Sequence, residues 1–127
     1  MSRKVVFDFD GVIQEKGEGL PLIKLVDLLY FDMDYGIIIL TARNESHRKY
    51  VVDRLEEYEL AYDALIMCPD DVTDYSEWKL REIKKLEPVW MIFDDCPSTI
   101  NLLEEAKLPI VAIRSDYYDK EEVCPNE

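Results

Sequence analysis

Histidine is nearly absent from this 127-residue sequence, with His47 standing alone. A histidine-rich metal centre is thereby excluded, and a nucleophilic triad built on histidine is disfavoured. Cysteine is scarce as well, and its count of three is odd. Cys68, Cys96 and Cys124 are far apart in the chain, which argues against a disulfide framework and against a zinc site. Reduced thiols in a cytoplasmic compartment are the expectation. No apolar run approaches the roughly 20 residues of a membrane span. The opening MSRKVVFDFD lacks the long apolar stretch of a signal peptide, so an intracellular chain with no membrane partner is expected. Positive charge is in deficit: 15 Lys and Arg face 28 Asp and Glu, for a net charge of −13. Broad binding of duplex nucleic acid needs a matching basic surface, which such a chain lacks over most of its area. Local binding of an anion remains open.

What is present is apolar material in ordered blocks. The sequence is 48% hydrophobic and 11% aromatic, enough for a packed core, and the length suits a single domain over residues 1–127. Val5-Val6-Phe7 reads as a buried strand that runs into Asp8-Phe9-Asp10 and stops at Gly11. Gln14 to Gly19 reads as a loop, and Pro21 opens a helix with Leu22, Val26 and Leu29 at helical spacing. Ile37 to Leu40 is a second buried strand, landing on Thr41. Glu45 to Tyr58 is helical by its Val51, Leu55 and Tyr58. Ala64 to Met67 is a short third strand, Pro69 to Asp74 a loop, and Ser76 to Leu86 a helix closed by Pro88. Val89 to Phe93 is a fourth strand ending at Asp94-Asp95. A helix from Pro97 and a fifth strand over Pro109 to Ile113 follow, and the acidic tail after Asp116 is expected to be peripheral. Strand and helix alternate throughout. That pattern predicts an α/β fold, a three-layer Rossmann-like sandwich with a mainly parallel five-stranded sheet.

The polar residues fall at the ends of these apolar runs. Asp8 and Asp10 follow strand one, Thr41 follows strand two, and Asp94 and Asp95 follow strand four, while Lys79 lies near the start of a helix. In a parallel sheet all carboxyl ends share one edge, where open α/β folds hold their ligands. One aspartate in a turn signifies little; three apolar runs each ending on a specific polar group signify more. Four carboxylates around one lysine repel one another unless a proton or a cation intervenes. Hard oxygen ligands without imidazole or thiolate suit Mg²⁺. A carboxylate that attacks a phosphoryl group meets an anionic electrophile, and a divalent ion relieves that repulsion.

Val5-Val6-Phe7-Asp8-Phe9-Asp10-Gly11-Val12 resembles the first motif of the haloacid-dehalogenase (HAD) superfamily. Ile38-Ile39-Leu40-Thr41 resembles its second, Lys79 its third and Ile92-Phe93-Asp94-Asp95 its fourth. The resemblance covers residues 4 to about 113. It implies a HAD-like fold in which Asp8 is the phosphorylated nucleophile and Asp10 the acid and base. It further implies that Thr41, Ala42, Arg43 and Gly11 surround the phosphoryl group and that Lys79 neutralises developing charge. Mg²⁺ would be bound by Asp8, Asp10 (through its carbonyl) and Asp94, with Asp95 a further or outer ligand. Asp10 marks the resemblance as one to a phosphatase rather than a dehalogenase, because an ester oxygen needs a proton to leave and a halide does not. A receiver domain uses similar parts, but its acidic pair comes first in the chain; here Asp94-Asp95 comes last.

No cap domain fits between Asp10 and Thr41 or between Thr41 and Lys79. An open site suits a bulky substrate end or a cap from another subunit, which makes a homo-oligomer one expectation. Thr41-Ala42-Arg43-Asn44-Glu45 and Glu77-Trp78-Lys79 resemble the 3′-phosphatase domain of phage-type polynucleotide kinases, although the P-loop signature of a kinase half is absent. Arg43, His47, Arg48, Lys49 and Arg54 cluster after Thr41, with Arg43, His47 and Arg54 predicted on one helix face. They form either a solvated face that offsets nearby acids or a cradle for extra phosphates. The expected substrate is a nucleotide or a nucleic-acid end, with a phosphorylated small metabolite or a non-catalytic phosphate-binding module as alternatives. Trp78, Trp90 and Cys96 are expected to be packing residues, and Tyr117 and Tyr118 to cover a sheet edge or an oligomer contact.

Overall fold

The computed structural model describes residues 3–115. Its centre is a five-stranded sheet formed by β1 (Lys4–Phe7), β4 (Gly36–Asn44), β5 (Ala64–Cys68), β6 (Val89–Asp94) and β7 (Val111–Arg114). The spatial order is β5-β4-β1-β6-β7, and every pairing in it is parallel. Strands buried on both faces need apolar side chains at every position, which is why they read as unbroken runs. Val5, Phe7, Ile37 and Ile39 enter the core on one face, while Val6, Ile38, Leu40 and Ile92 enter the core on the other.

Helix α1 (Leu22–Asp27) and helix α2 (Arg48–Glu57) close the first face through Val26, Val51 and Leu55. Helix α3 (Tyr75–Lys85) and helix α4 (Pro97–Glu105) close the second through Trp78, Leu80, Ile83 and Leu103. Chain progress therefore runs outward from β1 in both directions, through β4 to β5 on one side and through β6 to β7 on the other. The edge beyond the carboxyl ends of β1 and β6 is the crevice such a reversal creates. Directly beneath it the rings of Phe7 and Phe93, partners in the β1–β6 register, stack 4.9 Å apart and 3° from parallel.

The three-layer α/β reading holds, and the departures from it are local. Residues expected to form a loop after Ile13 instead form a short antiparallel hairpin, β2 (Gln14–Glu15) with β3 (Glu18–Gly19). Its two-residue turn is Lys16-Gly17 with φ of 52° and 82°, the left-handed pair that matches strand twist. Strand β4 continues past Thr41 to Asn44. Helix α3 begins at Tyr75, where the Asp74 side chain caps it by accepting from Glu77 N at 3.1 Å. Trp78 is buried, and Trp90 stacks on Tyr35 with centroids 5.0 Å apart. Tyr117, Tyr118 and the acidic tail lie outside the described residues. No helix among the described residues is long and apolar enough to cross a membrane.

Candidate active site

Strand β1 delivers Asp8 to the crevice by a backbone bond from Asp8 N to the Phe93 carbonyl at 2.9 Å. The Asp8 carboxylate accepts from Phe9 N at 2.7 Å through Oδ1, and its Oδ2 lies 3.2 Å from Lys79 Nζ. Strand β6 ends at Asp94, whose Oδ2 accepts from Lys79 Nζ at 2.7 Å and whose Oδ1 accepts from Cys96 N at 2.9 Å. Asp8, Asp94 and Asp95 each present an oxygen, and these atoms lie within 4.8 Å of one another. All three residues and Lys79 are buried. Carboxylates gathered this closely in a region of low dielectric form an arrangement that could hold a cation. The donor set is all oxygen and suits Mg²⁺.

Gly11 supplies the space for Asp95. Its φ is +80°, and a Cβ built there would lie 1.9 Å from Asp95 Oδ2. No side chain fits against that carboxylate. Ser115 Oγ donates to the Gly11 carbonyl at 3.0 Å, tying the end of the fifth sheet strand to this loop.

The structure places Thr41, Ala42 and Arg43 together at the end of β4. Thr41 and Ala42 are buried, and Thr41 Oγ1 accepts from Arg43 N at 3.2 Å. The Arg43 guanidinium grips Asp10 by two bonds, Nε to Oδ2 at 2.6 Å and Nη2 to Oδ1 at 3.2 Å. It also stacks over Tyr50, 4.7 Å from the ring centroid. The Asp10 carboxylate is thus directed to Arg43 and Gln14, while the three-aspartate cluster is made by Asp8, Asp94 and Asp95.

Arg43 is a strand residue, so the predicted shared helix face of Arg43, His47 and Arg54 does not form; His47 closes a 3-10 turn and Arg54 lies on α2. The other basic residues of this stretch pair locally: Arg48 with Glu45, Lys49 with Asp53, Arg54 with Glu57. Hydrogen bonding to Arg48 holds Glu45 below the usual carboxylate range. For Arg48 and Lys49, these exposed pairs fit the solvated face that offsets acids. Cys68 is buried, which pushes its thiol up to about 11.

Sequence reasoning missed Gln14, Tyr50 and Tyr58. Gln14 is buried, its Nε2 donating to Asp10 Oδ1 at 3.1 Å and its Oε1 accepting from Tyr58 OH at 2.8 Å. The signal available was the Lys16-Gly17 turn, which would have put Gln14 on a strand.

No protein-family model matches the chain, and no curated protein matches it in sequence. Solved structures similar to it include two of one assembly. A chain from the "Structure of Pnkp1/Rnl/Hen1 complex" is 22% identical with a TM-score of 0.75, covering 94% of this chain and 48% of that one. A chain from the "Structure of the Pnkp1/Rnl/Hen1 RNA repair complex" is 21% identical with a TM-score of 0.73, covering 92% of this chain and 44% of that one. The chain spans less than half the length of each, and the likeness is one of fold.

Proposed function

We propose that this chain is an Mg²⁺-dependent phosphomonoesterase of HAD type, working through an aspartyl-phosphate on the terminal phosphate of a nucleotide or polynucleotide. The observation that carries the reading is Lys79 Nζ set between Asp8 Oδ2 and Asp94 Oδ2, with Asp95 in the same cluster. The chain order of the four motif segments supports it. The nucleic-acid substrate is supported by the fold shared with a component of an RNA repair complex.

Asp8, Asp94 and Asp95, together with the Asp10 carbonyl, would hold the ion. When bound it supplies positive charge against the repulsion between a carboxylate nucleophile and a phosphate. Asp8 attacks phosphorus, the ester bond breaks, and the leaving oxygen takes a proton from Asp10. Water then attacks the aspartyl-phosphate, gives its proton to Asp10, and frees inorganic phosphate and Asp8. Thr41 and Arg43 hold phosphoryl oxygens, and Lys79 offsets the charge that develops on them.

The test is turnover of 3′-phosphorylated oligonucleotides, mononucleotides and an aryl phosphate, with and without Mg²⁺, in the unmodified protein and Asp8→Asn. Turnover that needs Mg²⁺, prefers the nucleotides and vanishes in a folded Asp8→Asn is expected. Equal rates on the aryl phosphate would remove the nucleotide assignment in favour of a small-metabolite phosphatase. Activity surviving in Asp8→Asn would remove the nucleophile. No turnover of any ester would leave a phosphate-binding module.

A further inference from the structure

Gln14 is held from every side. Its N–H donates to the Phe9 carbonyl at 3.0 Å, and its own carbonyl accepts from Gly11 N at 2.6 Å. Its side chain is buried, between the end of β1 and helix α2. A carboxylate only accepts hydrogen bonds, so the amide nitrogen must face Asp10. The amide oxygen then faces Tyr58, whose hydroxyl proton lies between Gln14 Oε1 at 2.8 Å and the Gly17 carbonyl at 3.0 Å. Burial raises the Tyr58 phenol above its ordinary range, so that proton is retained at working pH. The order of atoms is fixed: Tyr58 donates, Gln14 relays, Asp10 accepts.

The consequence falls on the two oxygens of Asp10. Oδ1 accepts from both Gln14 Nε2 at 3.1 Å and Arg43 Nη2 at 3.2 Å, which occupies its acceptor positions. Oδ2 accepts from Arg43 Nε at 2.6 Å and keeps an acceptor position open. We infer that, on the phosphomonoesterase reading, Gln14 is a positioning residue. Oriented by Tyr58, it pins Asp10 Oδ1 so that Oδ2 is the oxygen that exchanges a proton with the leaving group. The hairpin β2–β3 and helix α2 then serve as the mount that aims Asp10.

A positioning role and a purely structural role separate by leaving group. Proton delivery matters for an alkyl leaving oxygen, as in a nucleoside 3′-monophosphate, and little for 4-nitrophenyl phosphate, whose phenolate leaves unaided. Gln14→Met keeps the volume and removes both bonds; Tyr58→Phe removes only the donor that orients the amide. Each is assayed for kcat and KM on both substrates, with folding checked by circular dichroism. Gln14→Met is expected to lower kcat/KM, which reports the steps up to departure of the leaving group, by about tenfold or more on the nucleoside monophosphate, with a clearly smaller loss of kcat/KM on 4-nitrophenyl phosphate. Tyr58→Phe is expected to lose in the same direction by less. Equal losses on the two substrates, or none on either, would overturn the inference while the phosphatase reading stands. An unmodified protein inactive on both would overturn both. If Gln14→Met does not fold, Tyr58→Phe decides by the same ratio.

Discussion

Lys79 Nζ donates to Asp94 Oδ2 across 2.7 Å, with both residues buried. The same nitrogen is 3.2 Å from Asp8, so one cation tethers the ends of two neighbouring strands. Replacing it by methionine removes the ammonium that Asp8 and Asp94 share. Breaking a buried pair in this way typically costs about 3–5 kcal/mol. Lys79→Met is expected to melt well below the unmodified protein in EDTA and to gain more from added Mg²⁺ than the unmodified protein does. Thermal melts of both proteins in both buffers check it; an Mg²⁺ gain no larger than that of the unmodified protein counts against a shared cation site.

A side chain at Gly11 is both strained and in the way of Asp95. Alanine there meets Asp95 Oδ2 at 1.9 Å and takes a φ of +80°. Gly11→Ala is expected to lose about 1–3 kcal/mol of stability from backbone strain alone, and to weaken divalent-ion binding as Asp95 is displaced. Urea unfolding and Mg²⁺ titration by calorimetry measure the two effects separately. Unchanged affinity would take Asp95 out of the ligand set.

The basic residues on the α2 side divide into one that reaches the site and others that do not. Arg48 and Lys49 have acidic partners close by in sequence and are solvent-accessible. Arg48→Gln with Lys49→Gln is expected to change the KM for a 3′-phosphorylated nucleotide by less than about twofold. Arg43→Gln, which releases Asp10, is expected to reduce kcat/KM severely. A large KM effect from the double variant would restore the phosphate-cradle reading.

Cys68 is expected to resist alkylation in the folded protein. The thiolate is the reactive form, and burial pushes this thiol from 9.0 up to about 11. An unfolded chain therefore gives up that proton near pH 9 while the folded chain keeps it. The contribution of Cys68 to stability is full below that range and declines as pH rises towards 11. Mass mapping of iodoacetamide adducts with and without urea checks the first point. The pH dependence of the urea midpoint, compared with Cys68→Ala, checks the second.

The strand ends were legible because sidedness leaves a direct trace in composition. Val5 to Phe7 and Ile37 to Leu40 are apolar without interruption since both sheet faces are covered, and the polar residue after each run marks the edge. Arg43 was misplaced for the converse reason. Arg43-Asn44 leaves the covered region while still in extended form, with Asn44 paired to Cys68 after a break in register, so periodicity gives no hint of a strand. The partners of Gln14 were hidden on different grounds. A buried amide is specified by its partners, and Asp10 and Tyr58 are brought to it from 4 and 44 positions away only by the fold.

The stacked rings of Phe7 and Phe93 stand one residue before Asp8 and Asp94. Packed rings resist compression, so the spacing of the two acidic tips rests on hydrocarbon beneath them as well as on the Lys79 ammonium between them. A chemist who wished to detune this centre without altering its formal charge would begin a floor below it, by thinning one ring.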